Sequence, residues 1–369
     1  MRYGVVSGPM VQPAVALRAG QDYPGGYAEF RAWFSTDGAC ADYLEWLRWP
    51  DGFVCPRCGV AEEGYRLADG RWWCDACRRR TSVTAGTVFH HTKTPLTVWF
   101  TAGWQMMTAK TGVSAKTLHR LLGFGSYETA WTMLHRYRHA ISSRGLDQLS
   151  GEVEVDESFF GGKHKAGRPG RSPASGKYEV LLAVERLAGK GFGRARALYI
   201  PVETDAVIAG FLSANIVAGS TVHTDGAASY CRLMTDAAGS LHGVYRHDRS
   251  IIAGSDQQAH QLLPAVHRVA ALAKRWLSGT HQQAVEADHL QRYLDEFCFR
   301  FNRRRSRSRG LLFYRLLELA IAASPRTYDQ LVSGNARPKR RRPKPPVRPR
   351  AHPSSLAAPN PGRPWRSRS

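Results

Sequence analysis

What this 369-residue chain lacks narrows it before any motif is read. No apolar run approaches the ~18 residues of a membrane-crossing helix, so a helical membrane protein is not expected. Met1 to Gln21 lacks a basic start followed by a continuous apolar stretch, so no secretory signal is expected either. Acid is scarce: 30 Asp and Glu stand against 52 Lys and Arg, a formal net charge of +22. Such an excess calls for a polyanionic partner, nucleic acid first and an anionic membrane surface second. The seven cysteines are an odd number, two close pairs and three scattered residues. That is no disulfide framework, and it fits a reducing compartment. Gly189 to Gly193 hold glycines but no nucleotide-binding fingerprint.

The two close pairs are informative. Cys55-Pro-Arg-Cys58 and Cys74-Asp-Ala-Cys77 are separated by fifteen residues, the spacing of a four-thiolate zinc site. Four thiolates close a tetrahedral shell, so this metal would be structural and His90 and His91 would not be ligands. Arg57, Arg71, Arg78, Arg79 and Arg80 surround the knuckles, as a DNA-facing surface or as a solvated rim. Before them, aromatic residues at helical spacing between Tyr27 and Trp49 predict two short helices interrupted at Asp37-Gly38. After them, three helices are predicted. The first opens at Thr94-Pro95 with Thr94 as cap. The second is capped by Ser114, with Leu118, Leu121 and Leu122 inward. The third is capped by Ser126, with His135, Arg136, Arg138 and His139 outward. A helix-turn-helix DNA reader and a plain three-helix bundle share this pattern.

Gly151 to Lys163, GEVEVDESFFGGK, alternates strictly. Val153 and Val155 fall on one face of a strand; Glu152, Glu154 and Asp156 fall on the other. By itself this is an edge strand with an acidic face, or a strand delivering a carboxylate to metal-dependent phosphate chemistry. Strands follow at Tyr178–Leu187 and Arg194–Val202, then a helix from Asp205. A short strand ends at Asp225, and a further one is predicted at Gly243–His247. Helices over Leu262–Leu277, Leu290–Phe301 and Gly310–Ala323 complete the ordered chain. On the first of these, His267 and Lys274 are two turns apart and share a face. Carboxylates on the first and fourth strands are oxygen ligands suited to a pair of divalent ions at a phosphodiester. From Ala336 to Ser369 there are eleven Lys and Arg, many Pro and no acid, a composition expected to be disordered. Such a tail either adds non-specific DNA affinity or is dispensable.

In this order, FSTDGACADYLEWLRWPDGFVCPRCG, GTVFHHTKTPLTVWF, GEVEVDESFFGGK, HTDGAASY, LLPAVHRVAALAKRWLSGTHQ and HLQRYLDEFCFRFNRR resemble the bacterial insertion-sequence transposases of the DDE superfamily that carry an N-terminal zinc ribbon, the ISXO-like group. The resemblance runs from about residue 22 to about residue 320. Beside the flexible leader (1–24) and the disordered basic tail (326–369), which lie outside it, the resemblance implies an α+β multidomain protein: a helical lead-in and zinc ribbon (25–92), a helix-turn-helix-like DNA-binding region (93–146) and a ribonuclease-H-like catalytic core (147–325). It implies cutting and strand transfer at terminal inverted repeats with two Mg²⁺ or Mn²⁺ ions, beside one structural Zn²⁺. Partners would be double-stranded DNA at the element ends and the target, with a homo-oligomer pairing the ends. The place would be the cytoplasm, on the nucleoid. By this resemblance Asp156 and Asp225 are the first two catalytic acids and His267 takes the third position, most often Glu in the superfamily. His267 would bind metal or orient water or phosphate, and Lys274 would contact DNA phosphate. Ala270-Ala271 depart from similar sequences, which carry an aromatic residue and Ser there. Glu154 and Glu157 read as supporting groups. The rival reading is a catalytically inactive zinc-ribbon DNA-binding protein derived from such an element.

Overall fold

The computed structural model describes residues 17–61, 64–142, 147–161, 177–189, 191–250, 259–282 and 285–333. Residues 1–16 of the expected leader, the Gly162-Lys163 end of the acidic motif and the basic tail from 334 onward lie outside the described residues.

The lead-in is two helices, α1 (Tyr27–Trp33) and α2 (Asp37–Arg48). The break falls earlier than predicted. Thr36 caps α2 by accepting the Ala39 N–H at 3.2 Å, and Asp37-Gly38 form its first turn. Asp37 also accepts the N–H and hydroxyl of Thr97, at 3.0 and 2.9 Å, in the first turn of α3 (Leu96–Thr108). So Pro95 holds the cap position expected for Thr94, and a carboxylate from another helix satisfies the exposed N–H. Residues 17–24, expected to be loose, are fastened down. Tyr23 is buried, Tyr43 donates to the Asp22 carbonyl at 2.6 Å, and Pro24 crosses Gly310 so closely that a Cβ there would lie 1.7 Å from its oxygen.

Between α2 and α3 lies a three-stranded antiparallel ribbon, β1 (Gly64–Arg66), β2 (Trp72–Cys74) and β3 (Arg79–Thr81). Phe53 stacks on Trp72 (4.8 Å, 7°) and Trp49 meets Phe53 edge-on, docking the ribbon on the helices. Then come α4 (Ala115–Leu122) and α5 (Tyr127–Ser142), with Ser114 and Ser126 accepting N–H groups as predicted. Two expectations here are corrected. Leu121 is 55% exposed rather than inward. None of His135, Arg136, Arg138 and His139 is exposed, because α3, α4, α10 (Ala287–Asn302), α11 (Gly310–Ala322) and α12 (Tyr328–Val332) all pack against α5. Arg138 is buried in an ion pair with Glu296 (2.7 Å) and lies 4.0 Å over the Tyr293 ring.

The second half is a five-stranded sheet: β4 (Glu152–Phe160), β5 (Tyr178–Leu187), β6 (Gly191–Ile200), β7 (Thr221–Thr224) and β8 (Arg246–Arg249), in the order β6-β5-β4-β7-β8. The first three strands are antiparallel; β7 runs parallel to β4, and β8 to β7. One face is covered by α9 (Pro264–His281) and α10 (Ala287–Asn302), the other by α6 (Asp205–Asn215) and α7 (Ala228–Tyr230). Val180, Leu182 and Val184 point into the first core, Leu181 and Ala183 into the second. A strand buried on both faces reads as the unbroken run VLLAV rather than as alternation. The short α8 (Ala259–Leu262) precedes α9. The chain returns to the N-terminal core through α11 (Gly310–Ala322) and α12 (Tyr328–Val332). The latter carries a capping box at Thr327 and Gln330, so the expected tail from 326 begins with a short helix.

Candidate active site and zinc ribbon

The knuckles bring Cys55, Cys58, Cys74 and Cys77 together. All four sulfur atoms lie within 4.8 Å of one another, and the Cys55–Cys77 and Cys58–Cys74 pairs are 3.7 Å apart. A tetrahedron with Zn–S bonds of about 2.3 Å has sulfur atoms about 3.8 Å apart. The donor set therefore fits Zn²⁺ in size and chemistry, and its four thiolates leave no position for substrate. His90 stands outside the set, with its Nδ1 accepting the Gly86 N–H at 3.1 Å. Of the arginines predicted to rim the knuckles, Arg57, Arg78, Arg79 and Arg80 are exposed, and Arg71 is exposed but engaged by Asp69.

The acidic strand is central, not at an edge: β4 is flanked by β5 and β7. Its even-numbered residues face α9. Glu154 is fully buried there and accepts the N–H groups of Ala265 (2.7 Å) and Val266 (2.9 Å), the first turn of α9. The residue before that helix, Leu263, has no side chain to cap it, so the strand's carboxylate satisfies the amides instead. Burial raises the Glu154 carboxyl, opposed by the two helix N–H groups and by Arg186, 3.4 Å away. This pinning sets α9 over the strand end. One turn into the helix, His267 Nε2 lies 3.7 Å from Asp156 Oδ2, with both side chains partly exposed.

Asp225 follows β7 directly. The parallel register pairs Glu152 with Thr221, Val153 with Val222 and Glu154 with His223. Continued by two residues, it carries Asp225 level with Asp156. Asp225 Oδ1 accepts the Ala227 N–H at 2.9 Å. Glu157 points to the opposite face, where burial pushes its carboxyl up to about 7 and the Tyr230 hydroxyl donates to it. Lys274 projects from α9 on the His267 side, with Nζ 5.4 Å from the Phe160 ring, at a 400 Å³ recess that also takes in Tyr178, Lys177 and Arg275. Ala270 is buried in the core under α9, and Ala271 faces solvent.

Two donors on one small divalent ion at about 2.1 Å stand roughly 3 Å apart. The 3.7 Å between Asp156 and His267 is close to that; the carboxylate is a hard oxygen donor and the imidazole a softer one. Unlike the cysteines, these groups do not close within 4.8 Å of one another with a third ligand; among the described residues only the thiolates do. Sequence reading left the role of Glu154 as general support. Its spacing from Asp156 showed the shared face, but nothing local showed which helix it would hold.

Residues 148–302 match the family model of the ISXO2-like transposase domain, and residues 35–80 match that of the transposase zinc-ribbon domain. Together the two matches take in more than half of the chain. The chain carries an ISXO2-like transposase domain and a transposase zinc ribbon. It is also similar to an uncharacterized protein in the transposable element ISH50 of Halobacterium salinarum, 29% identical over 283 residues, covering 72% of this chain and 91% of the relative. The four thiolates fall inside the zinc-ribbon match, and Asp156, Asp225, His267 and Lys274 inside the DDE-domain match. No described helix is long and apolar enough to cross a membrane.

Proposed function

We propose that this chain cuts and joins DNA at the terminal inverted repeats of its element, with Asp156, Asp225 and His267 around the reacting phosphate. The observation that carries the reading is the β4–β7 register, which continued by two residues would bring Asp225 level with Asp156, under a helix fixed by Glu154 with His267 3.7 Å from Asp156. The strand order, three antiparallel strands followed by two parallel ones, supports a ribonuclease-H-like core.

Asp156, Asp225 and His267 would hold the divalent ions, Mg²⁺ or Mn²⁺. Such ions supply an activated water or 3′-hydroxyl and stabilise the leaving oxygen. The chain's own groups do the positioning. Glu154 keeps His267 at its distance from Asp156 by holding the first turn of α9. Lys274, two turns on, contacts the phosphate of the bound strand. The exposed arginines of the ribbon bind duplex DNA through its backbone, and pairing two ends requires more than one copy. The setting is the cytoplasm, on the nucleoid.

The test uses the full-length protein, labelled DNA carrying the flanking repeats and a supercoiled target, in Mg²⁺ and in Mn²⁺. Joined products that vanish in the Asp156→Asn protein are expected, with Mn²⁺ the better metal if His267 is a ligand. Binding without cutting in either metal would replace this reading with that of an inactive DNA-binding protein.

A further inference from the structure

A second concavity lies away from the carboxylates. It is a cleft of about 1170 Å³ between the start of α4 and the C-terminal half of α9, floored by α10. Seven cations line it and no carboxylate does, among the described residues. Two of the seven are structural. Arg300 donates to the Ala109 and Lys110 carbonyls, and Arg304 to those of Phe192 and Gly193. Lys110, Lys116, Arg120, Arg275 and Arg309 remain to face the space. Lys116 sits in the first turn of α4, where a cation opposes the helix dipole and an acid is the usual choice. The turn before α4 is fastened to the far wall. The Thr280 hydroxyl donates to the Thr111 carbonyl at 2.5 Å, and Gly112 (φ +78°) lets Trp276 and Arg300 approach so closely that a Cβ would meet them at 2.9 and 2.4 Å. The cleft is therefore a built junction between the helical half and the sheet half.

Arg275 lines both this cleft and the recess at Lys274. The two spaces thus meet along α9, the helix that carries His267. From His267 to Thr280 is thirteen residues, about 20 Å of helix. At about 3.4 Å per nucleotide along one strand, that is roughly six nucleotides.

We infer that this cleft binds the phosphodiester backbone of the DNA strand leading away from the reacting phosphate, without reading its sequence. This rests on the function proposed above, and it gives the basic charge of the helical region a place. That charge was predicted on α5, where His135 and Arg138 are buried and Arg136 and His139 only partly exposed; Lys116 and Arg120 on α4 line the cleft instead.

The experiment measures DNA affinity against salt for the full-length protein, with duplexes of element-end and scrambled sequence. Lys116→Ala/Arg120→Ala is expected to lower the slope of log affinity on log salt by about 1.8, from two lost phosphate contacts at ~0.9 each. Both sequences should weaken equally. Lys116→Arg/Arg120→Lys should keep the slope, and so should Arg18→Ala/Arg31→Ala outside the cleft. Phosphate ethylation should interfere with binding roughly six nucleotides from the cut, and this interference should disappear in the double alanine variant. An unchanged slope, a loss confined to one sequence, or an equal loss from the Arg18 and Arg31 changes would overturn the inference. None of these readouts on binding requires cleavage. If Asp156→Asn abolishes joining while the slope stays put, the proposed function stands and only the cleft assignment fails.

Discussion

The thiolate cluster of the ribbon and the proposed acid site differ in how they are built. The thiolates come from two knuckles within 23 residues and meet with sulfur pairs 3.7 Å apart, a shell closed before any other part of the molecule is considered. The proposed acid site would draw Asp156 from β4, Asp225 from the residue after β7 and His267 from α9, and these groups do not close on one another as the thiolates do. A closed shell suits a structural ion, and an open one suits an ion that must also bind substrate. The difference also shows in what each depends on. The ribbon needs its own hairpin, whereas the acid site needs a sheet register and a helix pinned by Glu154.

The contrast breaks most plainly at the ribbon. Cys55→Ser should remove the single structural zinc and unfold the ribbon, a loss on the order of 10 kcal/mol of metal-coupled folding. Metal content falling from one zinc per chain toward zero, with the sheet's own unfolding transition retained, is the expected result. Asp156→Asn should leave zinc and fold untouched and lower strand joining at least about a thousandfold, some 4 kcal/mol. A variant that still joins DNA would remove Asp156 from the proposed site.

Between the two regions lies α10, which ties the helical half to the sheet through the buried Arg138–Glu296 pair. Arg138→Ala strands a buried carboxylate and should cost about 3–5 kcal/mol in denaturant unfolding; Arg138→Met/Glu296→Leu should recover much of it. The proposed positioning role of Glu154 is sharper to test. Glu154→Ala leaves two buried N–H groups unsatisfied, costing about 2–3 kcal/mol, and should slow cleavage about tenfold. Glu154→Gln still offers an oxygen to α9 and should restore most of both; equal losses from Ala and Gln would argue against a role through α9.

The smallest effect is on pH. Burial lowers His281 to about 2 and His139 to about 4, each with arginines nearby, and it holds His135 well below the ordinary range. These imidazoles are neutral when folded and take up protons when unfolded. Their contribution is complete above about pH 6.5 and is lost as pH falls toward the folded values, by at most about 1.4 kcal/mol per pH unit for each. His281→Gln should flatten that slope in unfolding measured from pH 7 down to 4.

The zinc site was legible because its chemistry is local: two C-x2-C pairs at a ribbon's spacing specify ligands and geometry together. The faces of β4 were legible too, since alternation has a period of two. The outward face predicted for α5 was not legible. Helical periodicity shows which residues share a face, but His135 and Arg138, named as outward, proved to meet α10, more than a hundred positions later. Likewise Thr94 looks like a cap until Asp37 arrives from another helix.

By itself, the order of residues determined the elements, the thiolate shell, the excess of positive charge and the identity of the acids that could serve a phosphate. Those properties depend on neighbours a few positions apart. Only the tertiary structure decided that β4 is central, that β7 runs parallel beside it toward the Asp156 end, that Glu154 anchors the helix of His267, and that Lys116 and Arg120 line a cleft beside α9. Each of those depends on strand register and helix docking, which are settled by burying three apolar cores at once rather than by any local pattern.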